Sequence, residues 1–515
     1  MLEGLLTDGN RLKTTPAAAR IPPPAQIALL STLTIHPLYT SRAPERTHLH
    51  VATQSAAYLR GLLNVVGPIS ANLRAAFKFS GGDRSKGRGR TYNSSSDDDS
   101  DSDCIGLKYA AEQSIWRRAP DFWAILGWAF RCAFSYPHRW KCWRLWLEYM
   151  VDALESDWDE RFKIDEEDHK RLELQRGSPM GDCEYPSLHQ SLLALYLDDL
   201  HNDRKQPLRE VMRALMAFTD VDSSADTPFF KEIFSNETTI GPRKNKRKRA
   251  QAVDLENDQF GDYFDRIDDD FGSEDEDEMA VDPPTAELRK QTRRGGGQSS
   301  KQAPPFRLST GVAESIPLRL RLFRLLSAAT VTIPKKFAPV NDLYEKIADR
   351  IRGLPLPTFK LFVESQANLL PEEVYISLLR KIIEGLLPES GRGASKRPDP
   401  GHVDKEIDEK NGISVLMLEK CFLPFASDRV TAEENAKLSL ILEQMLWYLY
   451  NYAESNVECT EELRSAVEKG IKAREDKIRK KGAAAGKGDE KFAKAALERS
   501  ARNLRVLLDV LRAVA

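Results

Sequence analysis

Apolar residues recur every three to four positions along most of this chain, in stretches separated by prolines, glycines or runs of charge. That spacing marks amphipathic helices. Strand-like alternation of β-branched residues is missing from the first half. The densest stretch runs from Trp116 to Trp158. It holds seven of the eight tryptophans: Trp116, Trp123, Trp128, Trp140, Trp143, Trp146 and Trp158. Phe122, Leu126 and Phe130 share one helical face, and Pro137 interrupts the pattern. Trp143, Trp146, Tyr149, Met150 and Leu154 form a second face, with Trp140 in its first turn. This predicts an αα-hairpin. A stripe at helical spacing reads first as core, which assigns Trp123 and Trp146 to the interior. Trp116 and Trp158 stand at the ends and are expected to stay partly exposed. The competing reading is a partner groove with aromatic anchors, in which Trp158 is a candidate partner-binding residue.

The same period predicts helices elsewhere. AQIALLSTLTI follows Pro22 to Pro24 and stops at Pro37. Leu49, Ala52, Ala56, Leu59, Leu62 and Leu63 mark the next helix, and Pro68 opens another with Ile69, Leu73, Ala76 and Phe77 on one side. DERFKIDEEDHKRLELQR reads as a charged helix. SLHQSLLALYLDDL and PLREVMRALMAFTDV read as a pair with Leu188, Leu192, Leu195, Leu208, Val211 and Leu215 inward. From Ser315 on, PLRLRLFRLLSAATV, NDLYEKIADRIRGL, PTFKLFVESQANLL and PEEVYISLLRKIIEGLL repeat the theme. A polar loop at 389–411 precedes VLMLEKCFLPF and the long helix TAEENAKLSLILEQMLWYLYNYAES, where Thr431 and Glu434 have capping-box form. A charged helix and a last amphipathic one, with Leu497, Leu504, Leu507, Leu508 and Leu511 mainly on one side, close the chain. The fold class is therefore all-α: helical hairpins stacked as an irregular α-solenoid, HEAT-like in style but without a fixed-period consensus.

Three stretches break the pattern. Residues 1–20 read as a flexible leader without the apolar core of a signal peptide. Its Arg and Thr content leaves a transit peptide as the other reading. Residues 80–103, SGGDRSKGRGRTYNSSSDDDSDSD, have almost nothing apolar to offset ordering entropy and are expected to be disordered. Residues 236–305 form the largest break: the basic PRKNKRKRA, then fourteen acids between Asp254 and Asp282 against the single base Arg266, then RKQTRRGGGQSSKQAPP. Such blocks repel themselves and solvate well. The resulting map has N-terminal helices at 21–79, a Trp-rich domain at 104–235, a helical-repeat region at 306–388 and a C-terminal helical region at 412–515.

Composition adjusts this picture in three ways. The hydrophobic fraction of 41% supports real cores but falls short of a fully globular chain. Net charge is only −2 in 515 residues, so attraction to nucleic acid by the chain as a whole is not indicated. Six cysteines without a CxxC pair fit free thiols in a reducing compartment. Cys132, His138 and Cys142 are metal-ligand types, yet structural zinc wants four ligands and no fourth is evident. No apolar run is long enough to cross a membrane.

Candidate functional residues fall mostly in the breaks. Arg243, Lys244, Lys246, Arg247, Lys248 and Arg249 form a short basic cluster fitting nuclear import or a nucleic-acid contact. The alternative is a linker folding back on its acidic neighbour. Among the acids, Phe260, Tyr263, Phe264, Ile267 and Phe271 recur at helical spacing, the form of a segment that folds on a partner. The tract itself reads as a solvated spacer, a binder of histones or other basic proteins, or a cover for a basic surface. Ser94, Ser95, Ser96, Ser100, Ser102 and Ser273 beside acids are possible phosphosites. Arg319, Arg321 and Arg324 in LRLRLFR are the best local candidates for direct nucleic-acid contact. Trp146 with Tyr149 and Trp447 with Tyr450 each make a W-x-x-Y step similar to the opening of half-a-TPR repeats of RNA-processing scaffolds, without the rest of the repeat. Phosphate-loop, dinucleotide, zincin and serine-hydrolase motifs are missing. The sequence thus points to a non-enzymatic nuclear scaffold without cofactors, held to other protein subunits in chromatin or DNA maintenance. Nucleolar ribosome assembly or RNA processing, and direct nucleic-acid binding, are the alternatives.

Overall fold

The computed structural model describes residues 21–79, 109–176, 184–202, 206–218, 230–239, 309–364, 369–391, 397–452, 459–479 and 487–514. Among these residues the regular structure is helical: eighteen α-helices, short 3-10 turns, one π-turn, and one isolated bridge between Ser390 and Arg397. The all-α expectation holds.

The first helices follow the punctuation of the sequence. α1 (Pro24–Ile35) starts on a proline and gives way at His36 to a 3-10 turn. α2 (Arg46–Val66) stops at Gly67, whose φ of +82° suits glycine. The helix expected from Pro68 shrinks to α3 (Leu73–Ala76), because Asn72 takes a left-handed φ of +50° just before it. α4 (Ile115–Arg118) leads into the aromatic hairpin.

In α5 (Phe122–Ser135) Asp121 caps the start, its Oδ1 accepting from the Ala124 amide at 2.7 Å. One residue, Tyr136, separates it from α6 (Pro137–Arg176). Pro137 sits where its missing N–H leaves nothing unpaired. α6 runs 40 residues, roughly 60 Å at the usual rise, so the charged stretch expected as a separate helix continues the second arm of the hairpin. Two carboxylates on its inner side anchor the next segment of chain. Asp165 accepts from the Ser187 and Leu188 amides at 2.9 and 3.0 Å, and Asp157 from the Leu192 amide at 2.7 Å. They start a 3-10 turn and then α7 (Leu192–Asn202). α8 (Pro207–Leu215) begins on proline again.

α9 (Thr310–Thr332) starts seven residues before the Pro317 start read from the sequence. Ser309 caps it, accepting from Val312 N at 3.2 Å, so Pro317 lies inside the helix and not at its start. α10 (Val340–Arg352), α11 (Leu356–Val363) and α12 (Glu372–Glu384) come at the proline boundaries read from the sequence. The polar loop at 389–411 is partly helical, with α13 (Pro400–Val403) and α14 (Lys405–Glu409). α15 (Val415–Met417) passes into the π-turn at 418–422. α16 (Ala432–Tyr452) carries the expected cap, Thr431 Oγ1 accepting from Glu434 N at 3.2 Å. α17 (Glu461–Arg479) and α18 (Lys487–Val514) end the described chain.

Packing joins distant parts of the sequence. α1 lies against α2, α3, α4 and α6, and α5 packs on α6 and α8. α9 packs on α5 and α6 as well as on α10 and α11, so the helical bodies predicted on either side of 236–305 meet through it. α16 is the second centre, touching α11, α12 and, most extensively, α18. The last helix packs back: Leu504, Leu508 and Leu511 are buried. Residues up to Gly241 and from Pro305 onward fall in one compact unit. Asn236 to Thr239, at the start of the stretch read as a break, are described, and Glu237 is wholly buried.

Candidate functional site

The aromatic hairpin is a core, and its indoles are fixed by hydrogen bonds as well as by packing. Trp123 Nε1 donates to Tyr196 O at 3.0 Å and Trp146 Nε1 to Ser31 Oγ at 3.0 Å. Trp140 Nε1 donates to Glu314 at 2.8 Å on α9. Phe122 stacks on Tyr196 with centroids 4.5 Å apart, and Phe77 on Trp116 at 4.7 Å. The end positions do not behave as expected. Trp116 and Trp158 are 2% and 5% exposed, and Phe77 and Phe79, just after α3, pack on Trp116. Trp158 therefore offers no anchor surface, and the groove reading loses its candidate residue.

Beside this core lies a polar node invisible in the sequence. Arg139, in the first turn of α6, and Glu237 are both fully buried. Arg139 Nη2 and Nε donate to one carboxylate oxygen at 2.7 and 3.0 Å. The same guanidinium reaches Thr40 Oγ1 at 2.9 Å, Ser41 Oγ at 3.2 Å and Ile35 O at 2.9 Å. Trp143 Nε1 donates to Glu237 at 3.3 Å, and the other carboxylate oxygen accepts from the Ile233 and Phe234 amides at 2.9 and 3.3 Å. A buried ion pair persists when its remaining hydrogen-bonding capacity is met, and here it is. The node clamps residues 230–239 onto α1 and α6. His36 sits at its edge among Tyr39, Tyr109 and Phe234, with ring centroids 6.2, 5.0 and 4.8 Å away. Burial, together with the charges of Arg139, Arg118 and Arg42, lowers its pKa to about 4.

The arginines of LRLRLFR are engaged within the chain: Arg319 is buried, and Arg321 and Arg324 are half-buried in ion pairs. Arg319 is 1% exposed and lies between the rings of Phe130 and Phe218, 3.9 Å from each centroid. It donates to Leu215 O, to Ala217 O at 3.0 Å and to Ser315 Oγ at 3.0 Å. Burial lowers its pKa, yet a guanidinium keeps its proton in proteins. Arg321 binds Asp152 at 2.6 Å and also Glu155, and Arg324 binds Glu155 at 2.8 Å. All three tie α9 to the first half of the chain.

The metal-ligand types near the hairpin do not converge. Cys132 is buried, and burial raises its thiol pKa well above the ordinary value, so the metal-binding thiolate is disfavoured. No group of three or more His, Cys, Asp or Glu is placed to hold a metal among the described residues. A cavity of about 510 Å³ opens beside α12, α13 and α14. Its Arg380 is engaged by Glu384 at 3.2 Å, by Asp408 and by Gly412 O at 2.8 Å. Arg397 enters from the opposite side, donating to Pro388 O at 3.0 Å. Arg380 is thus paired within the cavity, whereas the buried Nη1 of Arg397 has no partner. Trp447 is 46% exposed with Tyr450 at 5.5 Å, whereas Trp146 and Tyr149 are buried, so the two W-x-x-Y steps play different parts.

The remaining predicted residues lie outside the described residues: the basic cluster Arg243 to Arg249, the aromatics Phe260, Tyr263, Phe264, Ile267 and Phe271, and the six serines. No helix among the described residues is long and apolar enough to cross a membrane. Comparison with known proteins matches the chain to no family model and to no curated protein.

Proposed function

We propose that this chain is a non-enzymatic nuclear scaffold or adaptor subunit of a multiprotein complex, serving chromatin or DNA maintenance. The observation that carries the proposal is the basic cluster Arg243 to Arg249, which begins six residues after the buried Glu237. A carrier that reads such a cluster would find it close in sequence to a segment clamped on a helical body. The ion pairs of Arg321 and Arg324 and the burial of Arg319 favour this reading over direct phosphate contact by α9. Stacked hairpins in an irregular solenoid belong to the same proposal. Runs such as α10 to α12 support it, and the crosswise packing of α9 on α5 and α6 limits it to part of the chain.

The acidic tract supports a basic protein as one partner, histones being the chemical type, with Phe260, Tyr263, Phe264, Ile267 and Phe271 as its apolar contacts. A role in ribosome assembly rests on the same alternation of basic and acidic tracts. The test of the main reading is localisation. Replacing Lys246, Arg247, Lys248 and Arg249 with alanine should leave the tagged chain mainly cytoplasmic. Unchanged nuclear accumulation removes the cluster as the import signal, and with it the observation on which the reading stands.

A further inference from the structure

Residues 230–239 end at the foot of the charged segment, and their outer side carries an unusual charge arrangement. Ser235 is exposed, and its Oγ accepts from Arg118 Nη2 at 3.0 Å. The rest of that guanidinium rests on neutral acceptors, Ile233 O at 3.0 Å through Nε and Gln113 Oε1 at 3.0 Å through Nη1. Arg42 Nη1 reaches the carbonyl of the next residue, Asn236, at 3.3 Å, and its buried Nε has no partner. Among the described residues no carboxylate stands within ion-pair distance of either arginine. The acids nearby are otherwise engaged: Glu237 by Arg139, and Glu232 by the Thr238 hydroxyl. One half-buried cation thus binds the exposed hydroxyl and a second binds the carbonyl of the next residue, on the segment that leads to the linker.

We propose that Ser235 is a phosphorylation site whose phosphate is held by Arg118 and Arg42, and that the modification locks residues 230–239 onto the body. A protein kinase acting in trans would supply the phosphoryl group from a nucleoside triphosphate. The Ser235 Oγ–phosphorus bond forms, the bond from the γ-phosphorus to the β–γ bridging oxygen breaks, a nucleoside diphosphate leaves, and the hydroxyl proton passes to the kinase's base. The neutral hydroxyl now accepts one hydrogen bond from Arg118. A phosphate brings close to two negative charges and three acceptor oxygens, and the bonds it receives from guanidinium are charge-assisted. Arg42, bound to the carbonyl of the next residue, is the second cation offered to the added group. The gain falls on the segment and not on the cores, since neither arginine belongs to an aromatic cluster.

The experiment uses the full chain made with phosphoserine encoded at position 235, beside the unmodified chain. The modified chain should melt about 1–2 °C higher, a small shift because the chain is large, and proteolysis within 230–239 should slow several-fold. Both gains should disappear with Arg118→Gln and shrink with Arg42→Gln, each compared with its own unmodified form. An equal or lower melting temperature together with unchanged proteolysis overturns the proposal. So does a gain that survives both substitutions. Mass spectrometry of the chain from its own cells should find phosphate on Ser235, and consistent recovery of that peptide without phosphate counts against it equally.

Discussion

Each buried indole of the hairpin loses ring packing on truncation, and Trp123, Trp140, Trp143 and Trp146 lose a hydrogen bond from Nε1 as well. Removing a buried Trp typically costs about 3–5 kcal/mol. Trp123→Ala and Trp146→Ala should therefore lower the melting temperature sharply or prevent soluble expression. Trp158→Ala belongs with them, since the residue is 5% exposed; thermal melts that leave it near wild type would show that its end of α6 is open. His36 supplies a pH-dependent effect. Its folded pKa of about 4 lies below the ordinary value of 6.5, so the unfolded chain binds the extra proton first as pH falls. The neutral ring's contribution is complete above pH 6.5 and is lost between 6.5 and 4. By linkage this amounts to roughly 3 kcal/mol. His36→Gln should flatten the stability difference between about pH 7 and about pH 5 in denaturant titrations, and an unchanged slope would place the titration elsewhere.

Among the helices, two close approaches should respond differently to the same change. At Gly470 in α17 an added Cβ would lie 1.8 Å from the backbone oxygen of Leu423, which is held by the turn after the π-helix. At Gly127 in α5 it would lie 2.3 Å from the ring of Phe230, a side chain that can swing away. Overpacking commonly costs about 1–3 kcal/mol and more where backbone must move. Gly470→Ala should exceed the upper figure and Gly127→Ala should fall near the lower one, helped by the better helix propensity of alanine. Comparable denaturation midpoints for the two variants would contradict the close contact of α17 with the π-turn.

Helix positions were readable because a helical period is a local property: α5, α10 and α16 fall where Phe122, Leu343 and Leu438 recur with their neighbours. Faces were less readable. In LRLRLFR the arginines look like an outward stripe, but Arg319 is drawn in by the carbonyls of Leu215 and Ala217, 104 and 102 residues away in the chain. Arg139 and Glu237 are 98 residues apart, and no local pattern announces their pairing. Trp158 misled as well: a place at the end of an aromatic stripe does not by itself show whether other parts of the chain cover it.

For the whole molecule, the proposed function gives two jobs to two stretches of the chain, the helical unit and residues 242–304. The unit holds the aromatic core, the Arg139–Glu237 node and the α9 tie, all of which concern stability. Residues 242–304 carry the basic cluster, the acids and the spaced aromatics, to which the proposed function assigns location and partners. The most direct measurement replaces Pro242–Pro304 with a glycine–serine segment of equal length, then compares melting temperature and nuclear accumulation with the natural chain. The expected result is an unchanged melting temperature and unchanged helical circular dichroism, with nuclear accumulation lost. A variant that unfolds, or one that still gathers in the nucleus as before, contradicts this division of labour.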